Sequence, residues 1–353
     1  VFERRVKEKS IWFGWNSAKM LQNRFDDQAK TPRKVNMERW RARKVVIIGA
    51  GAVGSTFAYA LAQSGVADEI VINDLDNNLA QGQVMDLAHG LPFYPNVQIN
   101  VGSPEDYRDA HVIVITAGAK QRPDEPRLAL LQRNARIIEG IMDEIQAQES
   151  QAVVLVVSNP VDILTYVAQK RVNWPRGRVI GSGTVLDSAR FRYLLGQHCG
   201  IDVHNVHAYI LGEHGDSEFA AWSMSHIAGT RFDDYCEMCG KCRDWAAERR
   251  QIEEAVRTSA YHIIGYKGAT YFAVGQALVR IVSAIVRNEN SVLTVSSVLE
   301  GEYGLQGVCL GVPAIVGEAG VTRVMNVSLP PAEQASLERS AAVLKAALAQ
   351  LEI

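Results

Sequence analysis

No apolar run in this 353-residue chain approaches the roughly 20 residues that a helix needs to cross a bilayer; the longest, VVIIGAGAV and AVVLVV, are far shorter. A membrane crossing is not expected. Cysteine is scarce, with five in the whole chain, which does not make a secreted disulfide framework. No long apolar segment precedes the first strand, so a secretory leader is not expected and a reducing cytoplasm is the expected setting. Repeats of fixed period and low-complexity tracts are also missing. Neither charge sign dominates, since 37 basic residues meet 39 acidic ones. What is present is 47% hydrophobic and 22% charged content, enough for one large or two ordinary globular domains with a full core.

The near-neutral total hides an asymmetry. Residues 1 to 44 hold 13 Lys and Arg against 5 Asp and Glu, which leaves 24 basic and 34 acidic residues for the remainder. A basic head of this kind could serve nucleic acid, an anionic surface or targeting. The plainer expectation is a basic extension over 1–43 that is disordered or not native, because Val1 is not a methionine and Met37 lies shortly before the first apolar strand. Nucleic acid is not expected as a partner.

From residue 44 the chain alternates strand-like and helix-like periods. KVVIIGA is a short apolar run ending in glycine, STFAYALAQSG follows with helical spacing, and EIVIND, HVIVITAG and AVVLVVSNP are further buried-strand runs. Uniformly apolar strands separated by helices predict a parallel sheet covered on both faces. From about residue 178 the pattern loosens into mixed strands and long amphipathic stretches near 243–286 and 330–351. The expected fold is α/β, a Rossmann-type doubly wound domain over 44–182 followed by a mixed α+β catalytic domain over 183–353.

Within IIGAGAVGS, Gly49, Gly51 and Gly54 match G-x-G-x-x-G between a strand and a helix. A tight turn, a close approach of backbone to pyrophosphate and strand–helix packing each exclude a side chain there. Asp74 ends the next strand, 20 residues beyond Gly54, where a carboxylate would accept hydrogen bonds from both ribose hydroxyls. An added 2′-phosphate would be repelled by that carboxylate, so NAD rather than NADP is the expected cofactor.

GAGAVGS, TAGAKQRPDEPRLALLQRN, SNPVD, GSGTVLDSARFR, LGEHGDS and KGAT occur in one order along residues 43–351. In that order the chain resembles the L-lactate and malate dehydrogenase family, specifically the bacterial lactate type. The resemblance implies reversible hydride transfer between NADH and pyruvate, giving L-lactate, as in fermentation. It adds Val53, Thr116, Gly118, Ala119 and Ser158 to the cofactor site. It also implies a homotetramer.

An imidazole in GEHGDS, taken alone, fits a capping or core histidine better than a catalytic one. The resemblance implies that His214 exchanges the proton that accompanies hydride transfer, with Asp187 fixing its tautomer. Arg190, three residues after Asp187, would share its helix face and grip the substrate carboxylate by two parallel hydrogen bonds. The spacing alone favours an ordinary i, i+3 surface ion pair, and it is the resemblance that implies the clamp. Arg127 would arrive with a closing loop and polarise the ketone oxygen together with Asn159. Gln121 stands where malate enzymes place an arginine, and burying the second carboxylate of oxaloacetate against it would leave an unpaired charge. Thr270 would face the methyl group of pyruvate. Glu213 and Asp216 are given no catalytic role.

Arg192 in ARFR and His207 in NVHAY match positions that bind fructose 1,6-bisphosphate in many bacterial lactate dehydrogenases, so an allosteric enzyme is expected. CEMCGKC sets Cys236, Cys239 and Cys242 at metal-like spacing. Structural zinc wants four ligands and no fourth follows nearby, so no metal is expected.

Overall fold

The computed structural model describes residues 42–119, 125–241 and 244–352. The basic head therefore lies outside the described residues, apart from Ala42 and Arg43.

An eight-stranded sheet organises the body from Ala42 onward. Its parallel part is built from β1 (Lys44–Ile48), β2 (Glu69–Asn73), β3 (Gln98–Val101), β4 (Val112–Ile115), β5 (Val153–Val156) and β6 (Val179–Gly181). The helices between them are α1 (Ala52–Ser64), α2 (Asn77–His89), α3 (Arg127–Ala147) and α4 (Val161–Arg171). Every residue of β1, β4 and β5 is buried, as expected where helices cover both faces. Each fully buried Val or Ile contributes roughly 1.5–3 kcal/mol of transfer free energy, so these uninterrupted runs hold the sheet together.

Beyond β6 lies α5 (Val185–Cys199), followed by five two-residue strands: β7 (Val206–His207), β8 (Ile210–Leu211), β9 (Phe219–Ala220), β10 (His226–Ile227) and β11 (Thr230–Arg231). Three helices follow, α6 (Phe232–Cys239), α7 (Trp245–Lys267) and α8 (Phe272–Val286). The amphipathic stretch is thus two helices, separated where Gly268 takes φ +84, a conformation that ends α7 in the left-handed region. The chain closes with β12 (Ser291–Leu293), β13 (Ser296–Glu300), β14 (Gln306–Gly311), β15 (Ala314–Gly317), β16 (Gly320–Val324) and α9 (Pro331–Leu348).

The large sheet runs β14-β13-β6-β5-β4-β1-β2-β3. Two of its members, β13 and β14, come from the C-terminal half: β13 pairs antiparallel with β6, and β14 pairs antiparallel with β13. α8 packs on α1, so the C-terminal half also covers one face of the nucleotide end. A second core gathers Phe191, Leu195, Trp222, Phe232 and Val256 beneath α5. In it Phe191 meets Trp222 edge to face with ring centroids 4.9 Å apart.

Candidate active site

The strand order reverses between β1, which continues to β2, and β4 on its other side. Ligands of doubly wound sheets bind at that reversal, beyond the carboxyl ends of the strands. Gly49 follows β1 there with φ +110, and a Cβ on it would lie 2.7 Å from the backbone nitrogen of Ala117. A Cβ on Gly54 would fall 1.9 Å from the carbonyl oxygen of Gly49. These two glycines are demanded by the packing of strand, loop and helix. Gly51 is different, because a Cβ on it would meet nothing within 4 Å. It is the N-cap of α1 with no side-chain capping bond, so the helix start keeps open donors facing free space. That opening fits a pyrophosphate.

Asp74 does more than the sequence suggests. Its Oδ2 accepts from the Ala50 amide at 2.6 Å and its Oδ1 from the Asp76 amide at 2.9 Å, tying the glycine loop to the end of β2. Each oxygen keeps a second lone pair for a ribose hydroxyl. Thr116 donates to the Ile48 and Gly49 carbonyls at 3.2 and 3.0 Å, and Ser158 donates to the Ala117 carbonyl. The amide of Ala119, next to Gly118, donates to Asn134 Oδ1 at 2.8 Å. Val53, on the first turn of α1, is half-buried against the core. The residues expected to hold the cofactor therefore lie along one continuous ledge at the ends of β1, β2, β4 and β5.

Next to that ledge opens a cavity of about 460 Å³ whose walls include Arg127, Asn159, Asp187, Arg190 and His214. Five side chains from four segments are thus brought together. Asp187, in the first turn of α5, is 1% exposed and uses both carboxylate oxygens. Oδ2 lies 2.6 Å from His214 Nδ1, and Oδ1 accepts from Arg190 Nη1 at 2.6 Å. The i, i+3 ion pair anticipated as the alternative for Arg190 exists, and it lines the cavity rather than the outer surface. Its remaining N–H groups stay available for a carboxylate.

Burial by itself would lower the His214 pKa. The Asp187 carboxylate outweighs burial, with Asp162 and Glu218 adding to it, and lifts the imidazole to about 9. For Asp187, burial pushes the carboxyl up, but His214 and Arg190 hold it below its ordinary range.

Two residues of the site were not identified from sequence. Asp162, the last residue of SNPVD, is fully buried; its Oδ2 accepts the His214 backbone amide at 2.7 Å and its Oδ1 accepts Ser296 Oγ at 2.5 Å. Burial drives its carboxyl up to about 6, against those hydrogen bonds. Glu218 is 7% exposed, lines the cavity, and is driven up to about 8 by burial first and by the Asp187 charge second. Neither environment has a local sequence signal, since both arise from long-range packing.

The other expected residues divide. Glu213 receives Ser217 Oγ, and Asp216 accepts from Tyr261 at 2.7 Å, so both are engaged in local bonds. Thr270 sits between α7 and α8, half-buried, and is not among the side chains lining the cavity. Gln121 lies outside the described residues. Arg192 and His207 line a separate cavity of about 410 Å³ on the other side of α5, with Arg280. Arg192 Nε is anchored to the Val206 carbonyl at 2.8 Å. Burial, then His226 and Arg192, lowers the pKa of His207. Cys236 and Cys239 lie on α6, and Cys242 lies outside the described residues. Among the described residues, the cluster of potential ligand groups within 4.8 Å of one another is Asp187, His214 and Glu218.

A doubly wound dinucleotide fold joined to a histidine–aspartate pair and a cluster of arginines defines an NAD-dependent oxidoreductase. The model of the lactate/malate dehydrogenase NAD binding domain matches residues 43–181, and that of the family's alpha/beta C-terminal domain matches 184–352. The chain belongs to the lactate/malate dehydrogenase family. It is 59% identical to an L-lactate dehydrogenase of Treponema denticola, over 88% of this chain and 99% of that protein. It is 51% identical to one of Acetivibrio thermocellus, over 88% and 98%. Among solved structures, a lactate dehydrogenase from a Medee basin deep-sea metagenome library superimposes with a TM-score of 0.86 at 42% identity, covering 89% of this chain and 100% of that one. The minor L-lactate dehydrogenase of Enterococcus mundtii, in its ligands-bound form, gives a TM-score of 0.85 at 40% identity, over 89% and 99%.

Proposed function

We propose that the chain is an L-lactate dehydrogenase that interconverts pyruvate and L-lactate. The observation that carries this reading is the convergence of His214, Asp187, Arg190, Arg127 and Asn159 on one cavity beside the glycine ledge. In this reading residues 44–182 hold the dinucleotide and 183–353 supply the acid–base pair and the clamp. The nicotinamide of bound NAD supplies and receives the hydride.

The chain's own groups handle charge and protons. Arg190 pairs its free N–H groups with the substrate carboxylate and thereby fixes which face of the carbonyl is presented. Because His214 Nδ1 faces Asp187, its Nε2 is the nitrogen left to hold the mobile proton for the carbonyl oxygen. Arg127 and Asn159 donate to that oxygen as it gains negative charge, a contact worth more in the transition state than in the bound ketone. Gln121 gives no cation to a second carboxylate, which favours pyruvate over oxaloacetate, and Thr270 is assigned to the methyl side of the substrate.

Following NADH absorbance with pyruvate and then with oxaloacetate tests the reading. Pyruvate is expected to be turned over faster, and His214→Asn to lower kcat by roughly 10²–10⁴-fold while the fold and dinucleotide binding persist. Preference for oxaloacetate, or full activity in the variant, overturns it.

A second reading concerns regulation. Arg192 and His207 share the cavity on the far side of α5, and two such groups suit a phosphate of fructose 1,6-bisphosphate. We assign that sugar bisphosphate as an activator acting within a cytoplasmic homotetramer.

A further inference from the structure

We propose that Glu218 is a positioning residue of the catalytic cavity: its uncharged form lets an anionic substrate settle beside Arg190, and its charged form opposes that substrate. The inference rests on the lactate dehydrogenase reading above.

The placement begins with the turn after His214. The Glu218 amide donates to the Gly215 carbonyl at 3.2 Å, and the chain then enters β9, which leaves the carboxyl inside the cavity wall. A carboxylate oxygen of Glu218 lies within 4.8 Å of both a ring nitrogen of His214 and an oxygen of Asp187. The charged groups that share this cavity are Asp187 and Arg190 from α5, His214 and Asp216 from the loop, Arg127 from α3 and Arg257 from α7.

Among the described residues, several of these groups are engaged elsewhere. Asp187 already uses His214 and Arg190. Asp216 is turned to Tyr261. Arg257 directs Nη1 to Glu254 at 2.9 Å, while its buried Nε has no hydrogen-bond partner among the described residues. An ionised Glu218 would thus be a second negative charge beside Asp187 in a partly dry site, where salt screens little. Its cheapest state is the neutral acid, which agrees with the upward displacement of its pKa by burial and by Asp187. A substrate that carries its own carboxylate meets the same repulsion. Binding of a 2-oxo acid is therefore coupled to the Glu218 proton, and the two neighbouring groups titrate as a pair.

The test compares the parent with Glu218→Gln, an uncharged isostere. With pyruvate as substrate between about pH 6 and about pH 10, log KM in the parent is expected to climb with a limiting slope of about two, from Glu218 and His214 together. In the variant it climbs with a slope of about one, and the change falls on KM rather than kcat. A readout without cofactor or substrate is the carbon NMR titration of the Glu218 carboxyl in the parent. A midpoint above about pH 7 is expected. A midpoint below about pH 5 would mean that Arg257 takes Glu218 as an ion-pair partner, and it overturns the assignment even if the variant does not fold. An unchanged pH profile in the variant of an active parent overturns it as well. Failure of the parent itself to reduce pyruvate counts against the functional reading instead, and the carboxyl titration still decides Glu218.

Discussion

Single residues of this site are held by charges that the surrounding fold has already desolvated. Asp162 is the clearest case, because it anchors the backbone of His214 rather than the ring. In the folded chain its carboxyl rises to about 6 from an ordinary 3.8, so the native state binds its proton more tightly than the unfolded state does. The stability associated with that proton is complete below the unfolded value and is lost as pH climbs through about 6. The displacement corresponds to on the order of 3 kcal/mol, with no solvent to screen it. Asp162→Asn keeps an acceptor for the His214 amide and offers an N–H to Ser296. Denaturant unfolding between about pH 4 and about pH 6 should show the parent losing stability relative to the variant as pH rises; parallel curves would refute this account.

His214, Asp187 and Arg190 were legible in the sequence as candidates because each stands in a motif of the family resemblance, and the structure brings the three to one cavity. Asp162 and Glu218 were not. Asp162 looks like an acid favouring the first turn of α4, and Glu218 like a solvated carboxylate after a turn. Only the packing of β13 and α5 around them changes what they are.

Elements show the same division. The strands β1, β4 and β5 were readable as apolar runs because helices cover both faces, so no polar residue interrupts them. The strands from β7 to β11 are two residues each, too short to impose an alternation, and the antiparallel addition of β13 and β14 depends on long-range pairing. The glycine ledge lets packing and ligand roles be separated by experiment. Gly54→Ala would force a Cβ to within 1.9 Å of the Gly49 carbonyl, so it should lower the melting temperature and dinucleotide affinity together. Gly51→Ala meets open space and should leave stability within about 1 kcal/mol of the parent, since its φ of −68 suits alanine. Its effect should appear as weaker NADH binding by fluorescence titration, because a Cβ there meets no protein atom within 4 Å and the proposed reading puts the pyrophosphate at that opening. Equal losses of stability in both variants would show that Gly51 also serves packing.

At the scale of the whole molecule, α5 is the element that borders both cavities. Asp187 and Arg190 face the catalytic one, whereas Val185, Ser188, Ala189 and Arg192 face the one that also contains His207. A helix is rigid enough that a small rotation or slide on one side displaces side chains on the other, and packed interfaces favour discrete positions over gradual ones. An anion that binds Arg192 and His207 more tightly in one position of α5 shifts the population toward it, by as much as its affinity differs between the two. Fructose 1,6-bisphosphate is therefore expected to lower the pyruvate concentration for half-saturation by about 5- to 100-fold, in the usual range of coupling energies, with little change in turnover at saturating pyruvate. Because burial, His226 and Arg192 lower the pKa of His207 from its ordinary value, the activation should strengthen as pH falls and that ring gains its proton. Arg192→Ala should remove the response and leave the basal rate, since Arg192 lies outside the catalytic cavity. Sedimentation velocity at the same effector concentrations separates two routes: a shift toward larger assemblies places the coupling between subunits, and constant size with full activation confines it to α5. No change in half-saturation across the titration would remove the regulatory role from this cavity.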